Sequence, residues 1–510
     1  MRRIDALIAA FLIAPAAAAQ QPLSAIDWLD GAASVSVAGP RVEPLGLPPQ
    51  ASGVDTPTVS VMALDAARSD SVGLLPATVT GLPVTLWQAS GEAAIVALLE
   101  RLSPEPLPAI QALYYTLLLA EAEPPGDAGS DGLFLKARVA ALQTYGATDP
   151  ALALIERAGP ATPALFDTWL DLALLAGTET EACAALAERP ALTDDYGARV
   201  FCIAQTGDWQ TAALIYETSV GLGLLSTTQE GLLAQFLDPE MVEGSLALAP
   251  TAGITPLIFR LYEAVGQPLP TQGLPRAYAS ADLRASAGLK ARLEAAERLA
   301  HTGALPPNRL LGLYTERAPA ASGGVWDRAR IIQTFDQAMT RENPGPIADI
   351  LPDAWQAMRD QGLAVAFAEL YGAALAGIEL PPRAQALAFR VGLLSSSYES
   401  IASAARPLDD TETFLAGLAR GMPPADLADT ALKQAISRAF AAGSVSADHA
   451  SLLEGGKLGQ AILSAGLQLD RAGLRGFGDI TSALSTLRAL GLEETARRAA
   501  LELLILESGA

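Results

Sequence analysis

The sequence predicts an all-α protein, a right-handed α-solenoid of degenerate helical hairpins behind a proline-rich, mostly irregular N-terminal segment. Half of the 510 residues are apolar and only 5% are aromatic. Alanine and leucine, which have the highest helix propensities, are abundant. Within residues 142–216, three apolar runs each end near a glycine, and another run with helical spacing follows two or three residues later. A series of such hairpins is typical of solenoids.

The first nineteen residues have the pattern of a secretory signal peptide. Arg2 and Arg3 precede an apolar core at 6–14, and small residues at 17–19 form a cleavage site. No later apolar run is long and uncharged enough to suggest a membrane span. We therefore expect an exported, soluble protein of the periplasm that does not insert into the membrane.

Composition divides the rest of the chain into four segments. Residues 20–88 are rich in proline and are predicted to form a linker or strap, with Trp87 anchoring it on the first helices. The N-terminal helical repeats are expected at 89–237. An irregular connector at 238–282 separates them from the C-terminal repeats at 283–510.

The repeat within 142–216 is marked by Gly146, Gly177 and Gly207, which lie 31 and 30 residues apart. Each glycine is followed five positions later by alanine, which is Ala212 in the third unit. A glycine permits a tight turn between helices, and a small residue lets two helices approach closely. The spacing predicts three helix–turn–helix units, and weaker spacing predicts further hairpins toward the C-terminus.

The third turn resembles the turn and second helix of a tetratricopeptide repeat. The sequence GDWQTA at 207–212, followed by Tyr216, has the glycine, the aromatic residue (Trp209), the alanine and the second aromatic residue in that family's order. The resemblance implies a tetratricopeptide-like solenoid with a period shorter than that family's. The whole chain is also similar to an uncharacterised group of exported proteins of GC-rich bacteria. That group is sometimes labelled antifreeze glycopeptide-like, but the Ala-Ala-Thr arrays that this label implies are absent here.

Cys183 and Cys202 are the two cysteines of the chain. They lie on successive predicted helices at similar distances from the turn near 192–193, so antiparallel helices would bring them to the same height. In an oxidising compartment such a pair is expected to form a disulfide. Two buried free thiols are the alternative, and the spacing favours the disulfide.

A long loop is predicted at 317–328, and it ends in Trp326, Asp327 and Arg328. These three residues are a candidate recognition loop. In the alternative, Asp327 belongs to the first turn of the next helix and Trp326 is a hydrophobic anchor. We favour the alternative.

The formal net charge of −22 argues against nucleic acid as a partner, because such binding depends on neutralising phosphates. His301 and His449 are the two histidines of the chain, too few for a usual zinc site. The glycines offer no phosphate-binding loop after a strand. We therefore predict no catalytic residue, no metal and no cofactor.

A solenoid offers an extended concave surface and few places for a buried acid–base pair. The predicted function is therefore a non-enzymatic periplasmic scaffold or protein-binding module, with cell-envelope assembly as a candidate process and a protein as the expected partner. One alternative is a peptidoglycan-related enzyme with a superhelical body, and another is a structural partner of a secretion or division complex. Glu399-Ser400 resembles the catalytic dipeptide of soluble lytic transglycosylases, but the downstream motif of that family is absent.

Overall fold

The computed structural model describes residues 69–238, 253–470 and 476–507. Regular structure in these ranges is helical: they contain no strand, and one isolated parallel bridge joins Leu75 to Ala120. The predicted all-α class is confirmed. The described ranges all belong to one compact unit, Asp65–Ala510.

Several predictions fall outside the described residues. These are the signal peptide at 1–19, the proline-rich segment up to residue 68, and residues 239–252 of the connector.

The described residues form 25 α-helices, and four short 3-10 turns lie at Ser69–Ser71, Pro190–Leu192, Arg276–Tyr278 and Ala425–Leu427. The helices are α1 (Ala77–Thr80), α2 (Glu92–Leu99), α3 (Pro108–Leu119), α4 (Leu133–Thr144), α5 (Thr148–Arg157), α6 (Phe166–Ala176), α7 (Thr180–Glu188), α8 (Tyr196–Gln205), α9 (Trp209–Gly221), α10 (Thr227–Leu237), α11 (Pro256–Ala264), α12 (Ala279–Asp282), α13 (Leu289–Ala300), α14 (Pro307–Thr315), α15 (Val325–Thr340), α16 (Pro344–Arg359), α17 (Ala364–Ala376), α18 (Pro382–Leu393), α19 (Tyr398–Ala404), α20 (Asp410–Ala419), α21 (Ala431–Ala441), α22 (Ala447–Glu454), α23 (Leu458–Asp470), α24 (Phe477–Ala489) and α25 (Glu493–Glu507).

Each of the three repeat glycines lies between two helices. Gly146, Gly177 and Gly207 have φ angles of 78°, 77° and 92°, in the left-handed region that glycine adopts without a steric penalty. They separate α4 from α5, α6 from α7 and α8 from α9. The alanine five positions after each glycine is completely buried. From α4 to α11, each helix packs against the next along the chain.

A buried arginine on α4 binds the backbone of residues 70–72, which precede the first helix. The guanidinium of Arg138, on α4, donates hydrogen bonds to the carbonyl of Val72 at 2.8 Å and to that of Ala120 at 3.0 Å. The carboxylate of Asp70 accepts a bond from the Leu135 amide at 2.7 Å, in the first turn of α4. Burial lowers the pKa of Arg138 to about 10, so the side chain stays charged at neutral pH. Residues 70–72 are therefore held against α4 by buried polar contacts.

The described part of the strap also contacts a helix near the C-terminus. Trp87 is buried, with its indole edge-on to Phe134 of α4 at 5.7 Å. On its other side is α23, where the Gly459 amide donates to the Leu86 carbonyl at 3.1 Å. A Cβ at Gly459 would lie 2.4 Å from the indole ring, so this close approach requires glycine. The strap thus joins helices that are far apart in sequence.

The last described helix packs on one of the first. Helix α25 packs against α3, and Glu502 Oε2 accepts a hydrogen bond from the Ala109 amide at 2.9 Å. Amides in the first turn of a helix have no partner within the helix, and the N-cap residue of α3, Leu107, has no side-chain acceptor to offer. The side chain of Glu502 therefore supplies the cap of α3 from 393 positions away.

The described part of the predicted connector is packed against the N-terminal repeats. Helix α11 contacts α6 and α10. Phe259 and Tyr278 form a small second core with Leu175 of α6. Arg260 pairs with Glu179 at 2.6 Å.

The capping carboxyl should make stability depend on pH. Glu502 is 1% exposed. Burial raises its pKa to about 8, an effect strengthened by Glu369 and opposed by the Ala109 amide and Arg498. An unfolded glutamate titrates near 4.5. Between these values the folded state holds a proton that the unfolded state has lost, so this contribution to stability is lost as pH rises.

We expect Glu502→Gln to remove this dependence, because glutamine keeps an acceptor for Ala109 and does not titrate. Urea unfolding at pH 5, 6.5 and 8 should show the variant gaining stability relative to wild type as pH rises. Glu494→Gln, on the exposed side of the same helix, is the control and should follow the wild-type curve. Parallel curves for Glu502→Gln and wild type would contradict the prediction.

Candidate functional site

Two cysteines link consecutive units of the repeat. The Sγ atoms of Cys183 and Cys202 lie 2.04 Å apart, at disulfide distance, and their Cα atoms 4.6 Å apart. Both side chains are buried. Cys183 is on α7 and Cys202 on α8, so the cross-link joins the second helix of one unit to the first helix of the next. The disulfide therefore holds α7 against α8, the helix on which α9 packs.

Helix α9 begins at the turn that resembles a tetratricopeptide repeat. The Asp208 carboxylate accepts a hydrogen bond from the Thr211 amide at 3.1 Å and so caps the helix. Ala212 and Ser219 are the two fully buried residues of α9, seven positions apart and therefore on one narrow stripe. Ile215 and Tyr216 are partly buried beside them, and the opposite side of α9 is exposed to solvent.

The outward part of α9 and the turn after it carry large apolar side chains. Trp209, Leu214, Leu222 and Leu224 are 48%, 67%, 68% and 44% exposed. We call these four residues the α9 surface. They are four of the ten large apolar residues that are well exposed in the part of the chain that the structure describes. One side of Trp209 rests on Phe236 of α10, with ring centroids 5.5 Å apart, which holds the indole in place.

The charged residues on either side of the α9 surface in the sequence are all acidic. Between Arg199 and Arg260 the sequence contains no lysine or arginine. The acidic residues of that interval include Asp208 before α9 and Glu217 on its exposed side. Apolar contact area and negative potential therefore occur together, which is the complement of an apolar and basic surface.

The residues predicted as a candidate recognition loop begin a helix. Trp326, Asp327 and Arg328 lie in the first turn of α15, and Trp326 is partly buried against the core. Arg328 Nε donates to a carboxylate oxygen of Glu297 at 2.7 Å. Asp327 pairs with Arg330 at 2.7 Å, and the Gly323 backbone amide lowers its pKa. This is the second of the two arrangements that the sequence left open, and it commits Arg328 to an internal ion pair.

Three aspartates meet in a cleft beside the disulfide helices. Asp167, Asp171 and Asp195 line a cavity of about 340 Å³ together with Gln229 and apolar residues of α11. Burial, then the nearby Asp167 and Asp195, raise the pKa of Asp171 to about 7. A carboxyl whose pKa lies near neutral pH can act as a proton donor or acceptor there. Sequence reasoning missed this cleft because the three residues come from two separate helical segments.

The histidines and the Glu-Ser dipeptide lie elsewhere. His301 Nδ1 is 3.1 Å from the Gln361 carbonyl. His449 is buried, with Nδ1 3.0 Å from the Thr486 hydroxyl, and burial lowers its pKa. The side chain of Glu399 is 62% exposed and lies 3.4 Å from Arg497. None of the three lines the aspartate cleft.

Within the described ranges, no group of three or more His, Cys, Asp or Glu side chains is placed to hold a metal ion. None of the helices described is long and apolar enough to cross a membrane. Comparison of the chain with protein-family models, curated proteins and solved structures finds no match.

The Cys183–Cys202 link should contribute to stability. Its cysteines are 19 positions apart, and closing a loop of this length restricts the unfolded chain by about 3 kcal/mol. We expect the double variant Cys183→Ala, Cys202→Ala to lose about this much free energy of unfolding, measured by urea denaturation. Reductant should destabilise the wild type and leave the double variant unchanged. Equal stability of the oxidised wild type and the variant would contradict the prediction.

Proposed function

We propose that the protein is a non-enzymatic scaffold of the periplasm that binds a protein partner through the α9 surface. Its hairpins would stack as a right-handed solenoid. The observation that carries the proposal is the exposure of Trp209, Leu214, Leu222 and Leu224 within sixteen positions. Exposed large apolar side chains concentrated in one part of a folded protein can mark a site of association.

The α9 surface offers a partner one tryptophan and three leucine side chains. Burying one leucine side chain contributes about 1.5–3 kcal/mol, and tryptophan is enriched among the residues that dominate interfaces. Trp209 is preordered by its contact with Phe236, so little side-chain entropy would be lost on binding. Leu214 and Leu222 would supply most of the remaining apolar area.

The charge around the surface defines the class of partner. With no basic residue between Arg199 and Arg260, a partner rich in lysine or arginine around an apolar centre would be attracted, and an acidic one repelled. Attraction of this kind weakens as salt rises. The proposed partner is therefore a basic protein segment or surface, and its association with α9 should be salt-sensitive.

Other features support the location and the architecture. The pattern of residues 1–19 is that of an export signal. Disulfides form and persist in oxidising compartments. The packing of each helix on the next from α4 to α11 suits a solenoid. A role in envelope assembly is proposed on these grounds.

Replacing two leucines of the α9 surface should abolish partner capture. We expect Leu214→Glu with Leu222→Glu to weaken binding at least about tenfold, because buried carboxylates would face an apolar surface. The measurement is crosslinking in periplasmic extract, followed by quantitation of the partner at rising salt. Leu408→Glu, a leucine of similar exposure outside the surface, is the matched control.

A single stoichiometric, salt-sensitive partner captured by wild type and by Leu408→Glu, but not by the double variant, supports the proposal. Equal capture by all three proteins would overturn the role of α9. Cell-wall turnover by the pure protein would overturn the non-enzymatic scaffold.

The aspartate cleft favours a second candidate function, a peptidoglycan-related enzyme. Glycoside hydrolysis uses one carboxyl that stays protonated and a second that is ionised. Burial raises the pKa of Asp171 to about 7. Asp195 accepts hydrogen bonds from the first turn of α8, with the Gly197 amide at 2.8 Å. The three carboxyls line one cleft, which is the arrangement that acid–base chemistry requires.

Purified protein incubated with peptidoglycan tests this second candidate. If the cleft is catalytic, soluble fragments should be released, and Asp171→Asn should reduce the rate by about a hundredfold or more, because the proton donor is lost. Asp149→Asn, a substitution outside the cleft, should leave the rate unchanged. Absence of any release by wild type rules out the enzyme, and release that survives Asp171→Asn rules out the cleft as its site.

A further inference from the structure

A second cavity lies where helices from the beginning, middle and end of the described chain meet. It is bounded by α3, by the turn between α13 and α14, by α17 and by α25. Its volume is about 210 Å³, below the range of about 300–1,000 Å³ that drug-sized ligands occupy. It is separate from both the α9 surface and the aspartate cleft.

Gln111 of α3 is the unusual residue of this cavity. It lines the cavity and is 4% exposed. Its amide nitrogen and its amide oxygen are both buried, and neither has a hydrogen-bond partner among the described residues. Buried polar groups in folded proteins are nearly always hydrogen-bonded, because an unmade bond leaves the cost of desolvation uncompensated. One donor group and one acceptor on the same side chain are therefore available inside the cavity.

Other polar side chains of the wall have hydrogen-bond or ion-pair partners, including His301, whose Nδ1 lies 3.1 Å from the Gln361 carbonyl. The Tyr115 hydroxyl donates to the Thr302 carbonyl at 3.0 Å. Arg498 pairs with Glu369 at 3.0 Å, so the two charges compensate each other. The remaining wall is largely small and apolar, formed by residues such as Ala112, Val365 and Ala366.

We propose that this cavity binds a small uncharged amide with a short aliphatic side chain, hydrogen-bonded to Gln111. An amide group offers one N–H donor and one carbonyl acceptor, which match the acceptor and donor of the glutamine carboxamide. Because Arg498 and Glu369 compensate each other's charge, a charged ligand would gain no affinity over an uncharged one. The apolar wall accepts a methyl-sized group. This inference does not depend on the proposed scaffold function.

The experiment uses the full chain and two probes of equal size. N-acetyl-L-alaninamide is the amide probe, and N-acetyl-L-alanine, which carries a carboxylate, is the charged comparison. Both are titrated into the protein at neutral pH by ligand-observed NMR. Wild type should bind the amide saturably and at least about tenfold more tightly than the carboxylate.

Gln111→Met tests the residue, because methionine has a similar shape and no amide. This variant should bind the amide at least about tenfold more weakly than wild type. Its melting temperature without probe should equal or exceed that of wild type, since two unpartnered buried polar atoms are removed. Gln460→Met is the matched control: Gln460 Oε1 is also buried without a partner but does not line this cavity. It should bind as wild type does.

Three results would overturn the proposal. They are the absence of saturable amide binding by wild type, tighter binding of the carboxylate, and unchanged amide binding by a folded Gln111→Met variant.

Discussion

A hydrogen bond between the Glu502 carboxyl and the Ala109 amide ties the last described helix, α25, to α3 near the start of the described chain. It caps a helix near one end of the described chain with a side chain from the helix at the other end. The same two regions meet again where Trp87 fits over Gly459 of α23. Because these contacts place α3 beside α25, they also create the cavity that Gln111 lines. A substitution that disturbs one of these two regions is therefore expected to disturb the other as well.

Local features of the fold could be predicted from sequence, and its long-range contacts could not. Gly207 was predictable as a turn because glycine adopts positive φ readily, and the buried place of Ala212 follows from the close packing of two helices. The pairing of Cys183 with Cys202 depends on the spacing between two consecutive helices, α7 and α8. By contrast, the approach of Trp87 to Gly459 depends on complementary shapes of segments hundreds of positions apart. The periodicity of a single sequence carries no information about such complementary shapes.

For the candidate sites as well, local features could be predicted from sequence and contacts between distant helices could not. Trp209 was singled out as part of a turn, but its exposure depends on how few residues of α9 are buried. The lack of lysine and arginine between Arg199 and Arg260 was the one signal in the sequence that could have marked this region. At Trp326 the sequence favoured a helix start over a recognition loop, but it could not show that Arg328 is bound by Glu297 of α13. The partner of a charged residue decides its role, and that partner lies on another helix.

The cap of α3 also has a consequence for the order in which the protein can fold. A chain grows from its N-terminus at about 5–20 residues per second, and 393 positions separate the two residues of this contact. About 20–80 s therefore pass between synthesis of the first helices and arrival of the side chain that completes them. For that interval the beginning of the chain lacks its final partner. A protein built in this way completes its first helices only after Glu502 has been synthesised, and until then those helices remain accessible to a chaperone.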